Sequence, residues 1–378
     1  MNKLKVLFIA ESLSVGGAEK ALVSILKAID YSKFDVTLLL ISKSGGFVSE
    51  TDGIENLKVK YIVEPNSNPF ISIFNLLKVK AIYKWLHAKT VGNYLCKGYD
   101  VVVAFCEGYL TRWIGASTVP CRKIAWVHTD MVQNDWPVKT GVFRNQEEEM
   151  NAYTNFDEVV AVSKVAAEGM KEKFGYATPT VIYNILDRDI IEKSKDVCPD
   201  LRCAKLNLVS VGRLEFVKGY DRLIDAMDIL INNRHFDIHL VLVGDGSKRA
   251  ELELLISKKG LTDNVTLVGM QSNPYPYVAN ADIFVCPSRQ EGFNIAILEA
   301  MTLGKPVVAT ACAGPIEILD NGKYGLIVEN DINGLVHGIS QIYYNPMEMN
   351  AMSGLSTERS KYFTAEKQLQ SLYSIIGE

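Results

Sequence analysis

The chain alternates short apolar runs with segments of helical periodicity almost throughout, and this alternation predicts an α/β fold. The apolar runs are rich in Val and Ile and do not alternate with polar residues, as in Lys5–Ala10 (KVLFIA) and Asp100–Phe105 (DVVVAF). Strands that are covered on both faces have this composition. The strand, helix, strand order in turn predicts parallel sheets joined by right-handed crossovers.

The predicted elements form two series. Ser163 is a favourable N-cap for a helix that runs to Phe174. The first series also has a helix over 18–29 and strands over 5–10, 35–41, 100–105, 123–127 and 158–162. The second series has helices over 220–231, 248–259, 294–303 and 333–343, and strands over 206–211, 239–243, 265–268, 283–286, 306–310 and 325–328.

A charged stretch over 187–203, which contains Pro199, separates the two series and is typical of a linker. We therefore predict one Rossmann-like domain over 1–187 and a second over 188–356. A closing helix over 357–378 is expected to pack back on the N-terminal domain. Two doubly wound sheets in tandem leave a central cleft, and ligands of such sheets bind beyond the carboxyl ends of the strands.

Composition excludes several classes of protein. The net charge is −4 over 378 residues, so no basic field of the kind that nucleic acid requires is expected. No apolar run approaches the roughly 20 residues that span a bilayer, and Glu11 interrupts the N-terminal run without a signal-peptide cleavage site behind it. The seven cysteines have no metal-type spacing and are typical of reduced thiols. These features predict a cytoplasmic protein.

The segment over 287–310 (PSRQEGFNIAILEAMTLGKPVVAT) carries two carboxylates. Glu291 lies at the mouth of a predicted helix and Glu299 lies inside it. Eight residues span slightly more than two turns, so both carboxylates are expected on one side. The N–H groups at a helix N-terminus bind phosphate, and an acidic side chain can accept hydrogen bonds from a ribose diol.

Cations follow the first strand of the second series. Arg213 and Lys218 lie five residues apart beside glycines, a placement that suits a diphosphate. Gly16 and Gly17, after the first strand of the chain, allow backbone to approach a ligand. They do not form the dinucleotide GxGxxG pattern, which disfavours a nicotinamide enzyme. His128 lies just past a strand and is a catalytic candidate.

One metal-type pattern is present. Asp187-Arg188-Asp189 is a DxD sequence, but it lies in the predicted linker rather than after a strand. No phosphate-binding neighbour is evident there. We therefore predict no metal site.

Together these segments resemble glycosyltransferase family 4 over the whole chain and in the expected order. The resemblance rests on Gly16-Gly17-Ala18-Glu19, His128, Gly212-Arg213, Lys218-Gly219, Gly244-Asp245-Gly246 and the Glu291…Glu299 pair. It implies a GT-B fold, in which two Rossmann-like domains face a central cleft. The first domain then binds the acceptor and the second the nucleotide sugar. The family further implies retention of anomeric configuration, with neither a metal nor another cofactor.

The resemblance also assigns roles. Glu299 is expected to bind the donor ribose and Glu291 the hydroxyls of the transferred sugar. Arg213 and Lys218 are expected to neutralise the diphosphate, and His128 to lie near the sugar. The catalytic candidates are thus His128, Arg213, Lys218 and Glu291. The candidate donor-binding residues are Gly16, Gly17, Arg213, Lys218, Gly244, Gly269, Gln271, Glu291, Gly292, Phe293, Asn294, Ile295 and Glu299.

The implied reaction transfers a hexose or N-acetylhexosamine from a nucleotide sugar, with UDP favoured, to a glycan or lipid-linked glycan of a bacterial surface polysaccharide. No second carboxylate is plainly a nucleophile, which favours attack from the face of the leaving group. Two alternatives remain open at this point. They are a nucleotide-sugar epimerase of similar architecture and a non-catalytic sugar-nucleotide sensor.

The segment over 65–99 contains five lysines and no acidic residue. Apolar residues lie among the lysines at roughly helical spacing. One interpretation is a basic amphipathic surface that docks on the anionic inner face of the plasma membrane through Lys78, Lys80, Lys84 and Lys89. The other is an ordinary domain helix with a solvated lysine face.

Overall fold

The computed structural model describes residues 3–14, 16–64, 69–132, 135–175, 179–186, 191 and 204–377. The chain forms two compact units. The first comprises Met1–Ile185 and Ala365–Glu378, and the second comprises Leu186–Thr364. The predicted linker pattern Asp187–Asp189 lies outside the described residues.

The first unit contains a seven-stranded parallel sheet in the order β3-β2-β1-β4-β5-β6-β7. Its strands are β1 (Leu4–Ala10), β2 (Phe34–Ser42), β3 (Lys58–Val63), β4 (Val101–Ala104), β5 (Arg122–Val127), β6 (Glu158–Ala161) and β7 (Thr180–Val181). Its helices include α1 (Gly17–Ala28), α2 (Pro69–Lys80), α3 (Ala88–Cys96), α4 (Tyr109–Gly115), α5 (Trp136–Lys139), α6 (Gln146–Tyr153) and α7 (Lys164–Phe174). A π-helical turn, Ala81–Trp85, follows α2.

Local sequence explains α7 in full. The Ser163 side chain accepts a hydrogen bond from the Ala166 N–H at 3.1 Å, as an N-cap does. Gly175 ends the helix with a φ of 61°, a left-handed conformation that glycine adopts without strain. Strand β3 was not predicted. Lys58 and Lys60 interrupt its apolar pattern and are exposed, because β3 lies at the edge of the sheet.

The second unit contains a six-stranded sheet in the order β10-β9-β8-β11-β12-β13. All six strands occur where the sequence predicts them: β8 (Leu206–Val211), β9 (Ile238–Val243), β10 (Val265–Gly269), β11 (Ile283–Cys286), β12 (Val307–Thr310) and β13 (Leu326–Val328). The helices include α8 (Tyr220–Asp228), α9 (Arg249–Lys258), α10 (Tyr275–Ala279), α11 (Ile295–Thr302), α12 (Ala313–Ile318), α13 (Ile332–Tyr344) and α14 (Pro346–Ser360). The predicted pair of doubly wound parallel sheets is confirmed.

The end of the chain differs from the predicted single helix over 357–378. Helix α14 extends to Ser360, and α15 (Ala365–Ile376) starts only after a 3₁₀ turn. Residues 357–364 stay with the second unit. There the Arg359 side chain donates hydrogen bonds to the carbonyl oxygens of Ile318 and Glu317 at 2.8 and 3.0 Å. Helical periodicity in the sequence does not reveal this break.

Helix α15 belongs to the first unit. It buries Leu369, Leu372, Ile375 and Ile376. The Asp30 N–H donates a hydrogen bond to the Tyr373 hydroxyl at 2.9 Å, and the Tyr183 N–H donates one to Gln368 Oε1 at 2.9 Å. Apolar burial and these two bonds together hold the last helix against the body of the first unit.

The strand order places one switch point in each unit. The order reverses between β1 and β4 in the first sheet and between β8 and β11 in the second. In open parallel sheets, ligands bind beyond the carboxyl ends of the two strands at such a point. The loops that follow these four strands are therefore expected to carry the ligand-binding residues.

Candidate functional site

Lys218 and Glu291 meet at the switch point of the second unit. Lys218 ends a 3₁₀ turn (Phe216–Lys218) that follows β8, and Glu291 lies in the loop after β11. The Lys218 Nζ atom lies 2.6 Å from Glu291 Oε2, and the two side chains are 19% and 13% exposed. The structure thus joins two predicted site residues that are far apart in sequence.

Two further side chains complete what we call the Lys218–Glu291 cluster, which consists of Lys218, Ser288, Glu291 and Asn294. The Ser288 hydroxyl and the Asn294 amide each donate a hydrogen bond to Glu291 Oε2 at 3.2 Å. Asn294 also accepts from the Ile297 N–H at 3.3 Å as the N-cap of α11. One amide thereby fixes the carboxylate relative to the helix N-terminus.

The ion pair controls the charge of Lys218. Burial by itself lowers the pKa of an ammonium group, but the Glu291 carboxylate outweighs burial and holds the pKa of Lys218 above its ordinary value. Lys218 is therefore a cation throughout the physiological pH range. Such a fixed positive charge at a strand end suits the binding of phosphate.

Arg213 lies at the same strand end. Its side chain is exposed, and it makes no hydrogen bond or ion pair with any residue that the structure describes. A β-carbon built on the preceding Gly212 would lie 3.8 Å from Lys218 Cε, so the loop positions of both cations are adjacent. The pairing of the two cations with a diphosphate stays a prediction.

Glycines allow the strand-end loops to pack closely. Gly219 has a φ of 70°, and a β-carbon there would lie 2.1 Å from the Pro287 carbonyl oxygen. Gly244 has a φ of 144°, and its β-carbon would lie 2.0 Å from the Gly212 carbonyl oxygen. Any larger residue at either position would displace the backbone that carries Lys218 or Arg213.

The loop that contains the predicted donor-binding residues Gly269 and Gln271 adjoins this region. The Gly244 N–H donates to the Gly269 carbonyl at 2.9 Å, and the Gln271 side chain donates to the Val268 carbonyl at 3.0 Å. Gly269 has a φ of 76°. The predicted donor-binding residues at the ends of β9 and β10 are therefore neighbours, and their contact with a donor remains a prediction.

Glu299 lies inside α11 and is only 4% exposed, so it is not a solvated helix residue. The Tyr275 hydroxyl donates a hydrogen bond to Glu299 Oε1 at 3.3 Å. The helical-spacing argument that linked Glu291 to Glu299 is wrong, because α11 begins only at Ile295. Glu291 precedes the helix and is positioned by the loop instead.

The other residues of this segment are structural neighbours of the cluster. Phe293 and Ile295 are 8% and 6% exposed, and the Phe293 ring lies 6.0 Å from that of Phe363. The Gly314 N–H donates to the Glu291 carbonyl at 2.9 Å. A β-carbon at Gly314 would lie 3.0 Å from Gly292, so α12 packs directly on the loop.

In the first unit, His128 follows β5 as predicted, and Glu107 holds it. Glu107 Oε1 accepts hydrogen bonds from the N–H groups of His128 at 2.6 Å and Thr129 at 2.8 Å, and from the Thr129 hydroxyl at 3.0 Å. Glu107 is 4% exposed. The sequence reasoning missed this residue, although an acid three residues past the buried strand β4 was a usable signal.

The His128 ring has a defined tautomer. Nε2 lies 3.1 Å from the carbonyl oxygen of Phe105, and because a carbonyl only accepts, Nε2 carries the proton. Burial lowers the pKa of His128, against the opposing effect of Glu107. The ring is therefore neutral at physiological pH, with Nδ1 as a hydrogen-bond acceptor.

Gly16 and Gly17 lie at the N-terminus of α1, with Gly16 as the N-cap residue. A β-carbon at Gly16 would lie 2.4 Å from the Glu19 carboxylate, so glycine makes room for that side chain. Glu11, which follows β1, accepts a hydrogen bond from Tyr83 at 3.0 Å. Burial raises the pKa of Glu11, against the opposing effect of this bond.

The sequence predicts neither a bilayer-spanning helix nor a metal site. Within the described ranges, none of the helices has the length and apolar character that a bilayer-crossing segment needs. Among the same residues, no group of three or more His, Cys, Asp or Glu side chains is arranged to hold a metal ion. Metal independence itself stays a prediction.

Both halves of the chain match known protein families. Residues 15–190 match the model described as Glycosyltransferase Family 4. Residues 203–358 match the model described as Glycosyl transferases group 1. The two matched ranges lie on either side of the predicted linker.

Curated relatives include an enzyme of Campylobacter jejuni named N-acetylgalactosamine-N,N'-diacetylbacillosaminyl-diphospho-undecaprenol 4-alpha-N-acetylgalactosaminyltransferase. It is 26% identical, and the alignment covers 94% of each chain. A lipopolysaccharide core biosynthesis glycosyltransferase of Rhizobium meliloti, LpsE, is 35% identical over 36% of this chain and 38% of its own.

Among solved structures, HepE of Anabaena in complex with UDP-glucose is similar with a TM-score of 0.75 and 21% identity, over 98% of this chain and 100% of its own. TarM of S. aureus, a mutant solved in complex with UDP, has a TM-score of 0.74 and 12% identity, over 99% and 100% of the chains. These likenesses confirm the predicted GT-B fold.

Proposed function

This chain belongs to the glycosyltransferases of family 4, and we propose that it is a retaining enzyme that uses a nucleotide sugar. The proposed donor is a UDP-activated hexose or N-acetylhexosamine. The proposed acceptor is a glycan or lipid-linked glycan of a bacterial surface polysaccharide. The name of the Campylobacter relative, which specifies a diphospho-undecaprenol acceptor, supports the acceptor class. The UDP-glucose complex of HepE supports the donor class.

The observation that carries this proposal is the Lys218–Glu291 cluster at the switch point between β8 and β11. It places a permanent cation and a hydrogen-bonded carboxylate at the N-terminus of α11. A diphosphate binds to a cation and to the N–H groups at a helix N-terminus. The hydroxyl groups of a sugar donate hydrogen bonds to a carboxylate. This arrangement supports the proposal that one set of loops of the second unit binds both the diphosphate and the sugar.

The proposed mechanism is attack from the face of the leaving group. The departing diphosphate accepts the proton of the acceptor hydroxyl, while Lys218, Arg213 and the α11 N-terminus stabilise its negative charge. Burial and the nearby Glu291 raise the pKa of the Cys286 thiol to about 11, so this thiol is protonated at neutral pH and does not serve as a nucleophile.

Replacing Lys218 by Ala tests the assignment. Transfer requires charge stabilisation in the transition state, so Lys218→Ala is expected to lower turnover by about 10²–10³-fold. Release of free nucleoside diphosphate, measured with and without a glycan acceptor, reports the reaction. A glycosyltransferase releases nucleoside diphosphate when the acceptor is added. An epimerase or a non-catalytic sensor would not show this dependence on the acceptor. The activity is expected to persist in EDTA.

Lys258→Ala provides the control, because Lys258 is an exposed lysine at the end of α9 in the same unit. It is expected to retain wild-type turnover. Wild-type turnover in folded Lys218→Ala would defeat the site assignment. A second variant tests the ribose contact. Glu299→Ala removes the buried carboxylate that is proposed to bind the ribose, so it is expected to raise the dissociation constant of the nucleotide, measured by isothermal titration calorimetry.

The proposal includes a cytoplasmic location with peripheral attachment to the inner face of the plasma membrane. Lys78, Lys80, Lys84 and Lys89 are exposed. Ile71, Leu77, Leu86 and Tyr94 of the same segment are 42%, 44%, 48% and 74% exposed. Exposed apolar side chains interleaved with lysines support binding to an anionic lipid surface.

A further inference from the structure

In the Lys218–Glu291 cluster, the Glu291 carboxylate is paired with Lys218, the cation to which the diphosphate is proposed to bind. Glu291 Oε2 lies 2.6 Å from Lys218 Nζ, and both side chains are mostly buried. Any phosphate oxygen that binds the same ammonium group must come within a few ångströms of this carboxylate. Two negative charges at such a distance repel one another, and burial reduces the screening of that repulsion.

The Glu291 carboxylate cannot move away from Lys218 without losing several hydrogen bonds. Oε2 also accepts hydrogen bonds from Ser288 and Asn294, and Asn294 is itself held as the N-cap of α11. The loop carbonyl of Glu291 accepts from the Gly314 N–H at 2.9 Å. Movement of Glu291 would break several bonds at once, so an arriving phosphate meets a fixed negative charge.

The second oxygen of the Glu291 carboxylate can bind a ligand group that offsets this repulsion. Glu291 Oε1 has no hydrogen-bond partner among the residues that the structure describes. A carboxylate oxygen accepts bonds from hydroxyl groups, and such charge-assisted bonds are stronger than neutral ones. A nucleotide sugar brings the hydroxyl groups of its transferred sugar next to the outer phosphate, whereas the only hydroxyl groups of a free nucleoside diphosphate are those of the ribose, which is the proposed partner of Glu299.

We propose that Glu291 is a specificity residue that selects the sugar-bearing donor over the free nucleoside diphosphate. Both ligands meet the repulsion, but only the donor offsets it through its sugar hydroxyls. The same difference favours release of the nucleoside diphosphate after the sugar has left. This inference rests on the proposed donor site and adds the discrimination between substrate and product to it.

Replacing Glu291 by Gln tests the inference. The amide keeps the size and one acceptor oxygen but removes the charge. Isothermal titration calorimetry of the full chain with UDP, GDP, UDP-glucose, UDP-N-acetylglucosamine and GDP-mannose gives the dissociation constants. For the diphosphate that wild type binds, Glu291→Gln is expected to bind about tenfold more tightly, because the repulsion is gone. Binding of the matching nucleotide sugar is expected to stay equal or weaken.

Glu215→Gln is the matched control, because it removes the same charge from the loop that follows the same strand. The Lys218 N–H donates to the Glu215 backbone carbonyl, which the substitution keeps, and the Glu215 side chain is bonded to Ser247 instead of Lys218. The Glu215 carboxylate accepts from the Ser247 N–H and hydroxyl. This variant is expected to bind diphosphate as wild type does. Glu291→Ala is a second charge-removing variant in case the Gln side chain disturbs the loop, and it too should bind diphosphate more tightly.

The outcomes separate the two proposals. If wild type binds none of the nucleoside diphosphates or nucleotide sugars, the proposed function fails and this inference fails with it. If wild type binds a diphosphate and both Glu291 variants bind it equally or more weakly, the inference alone is overturned. The inference would also be overturned if Glu215→Gln bound the diphosphate as tightly as the Glu291 variants do. The loss of one negative charge anywhere near the site would then explain the effect.

Discussion

At the residue scale, carboxylates that are mostly or fully buried organise the strand ends of both units. Glu291 is bonded to Lys218 in the second unit, and Glu107 accepts three hydrogen bonds on one oxygen in the first. Two of those three donors are main-chain N–H groups, which are costly to leave unpaired in a buried place. Glu107 therefore positions the backbone from which His128 extends.

Glu107→Ala is expected to lower the free energy of unfolding by about 1–3 kcal/mol, because it leaves partly buried donors without an acceptor. Glu107→Gln keeps an acceptor oxygen of the same reach and is expected to lose less than half as much. Urea unfolding of the two variants measures the difference. Equal losses would show that the negative charge, rather than the acceptor, stabilises the loop after β5.

The same pair of variants has a catalytic readout. If His128 contacts the transferred sugar, Glu107→Ala is expected to lower kcat with little change in KM for the nucleotide sugar, and Glu107→Gln to restore it. A merely structural role for Glu107 would lower the amount of folded enzyme and leave kcat per folded molecule unchanged. Active-site titration against the folded fraction distinguishes the two results.

At the element scale, α2, the π-helical turn and α3 form an unusual surface. They present lysines and apolar side chains without an acidic residue over 65–99. Ordinary solvated helix faces mix both signs of charge. The proposed peripheral binding to anionic lipid would give this composition a physical reason, since each lysine near such a surface contributes about 1 kcal/mol.

Replacing Lys78, Lys80 and Lys84 together by Gln is expected to reduce partition onto phosphatidylserine-containing vesicles by on the order of 10²-fold at low salt. Co-sedimentation measures this partition, with neutral phosphatidylcholine vesicles as the reference. The matched control replaces three exposed lysines of the second unit, Lys258, Lys323 and Lys361. Equal partition of wild type onto neutral and anionic vesicles would contradict the prediction.

At the scale of the whole molecule, each unit has its own apolar core. The first core includes Trp113 and Leu7, and the second includes Leu240 and Ile342. The chain leaves the first unit and returns to it through α15. The last helix therefore contributes to the stability of residues more than 180 positions earlier.

Leu372→Ala in α15 and Ile342→Ala in α13 form a matched pair, because each side chain is 1% exposed. Each is expected to lower the free energy of unfolding of its own unit by about 2–5 kcal/mol. Hydrogen exchange followed by mass spectrometry locates the effect. Leu372→Ala is expected to expose strands of the first unit, including β1, and to spare β8–β12. Loss of protection in both units for either variant would contradict two separate cores.

Much of the fold followed from local patterns. The six strands of the second unit, and α7 between Ser163 and Gly175, occur where the sequence predicts them, because apolar runs and caps act over a few residues. Strand β3 was missed because an edge strand keeps exposed lysines. Helix α14 was missed because its apolar periodicity is weak and only Met352 and two serines are buried.

By itself the sequence determined the two doubly wound sheets, the family and the residue types of the proposed donor site, because buried strands, glycine turns and helix caps are local features. Only the tertiary structure decided which side chains meet. The pairing of Lys218 with Glu291 and of Glu107 with the His128 backbone depends on strand order, which brings together loops 73 and 21 residues apart. The placement of α15 in the first unit depends on contacts with Asp30 and Tyr183. Such contacts between distant segments leave no periodic signal in the chain.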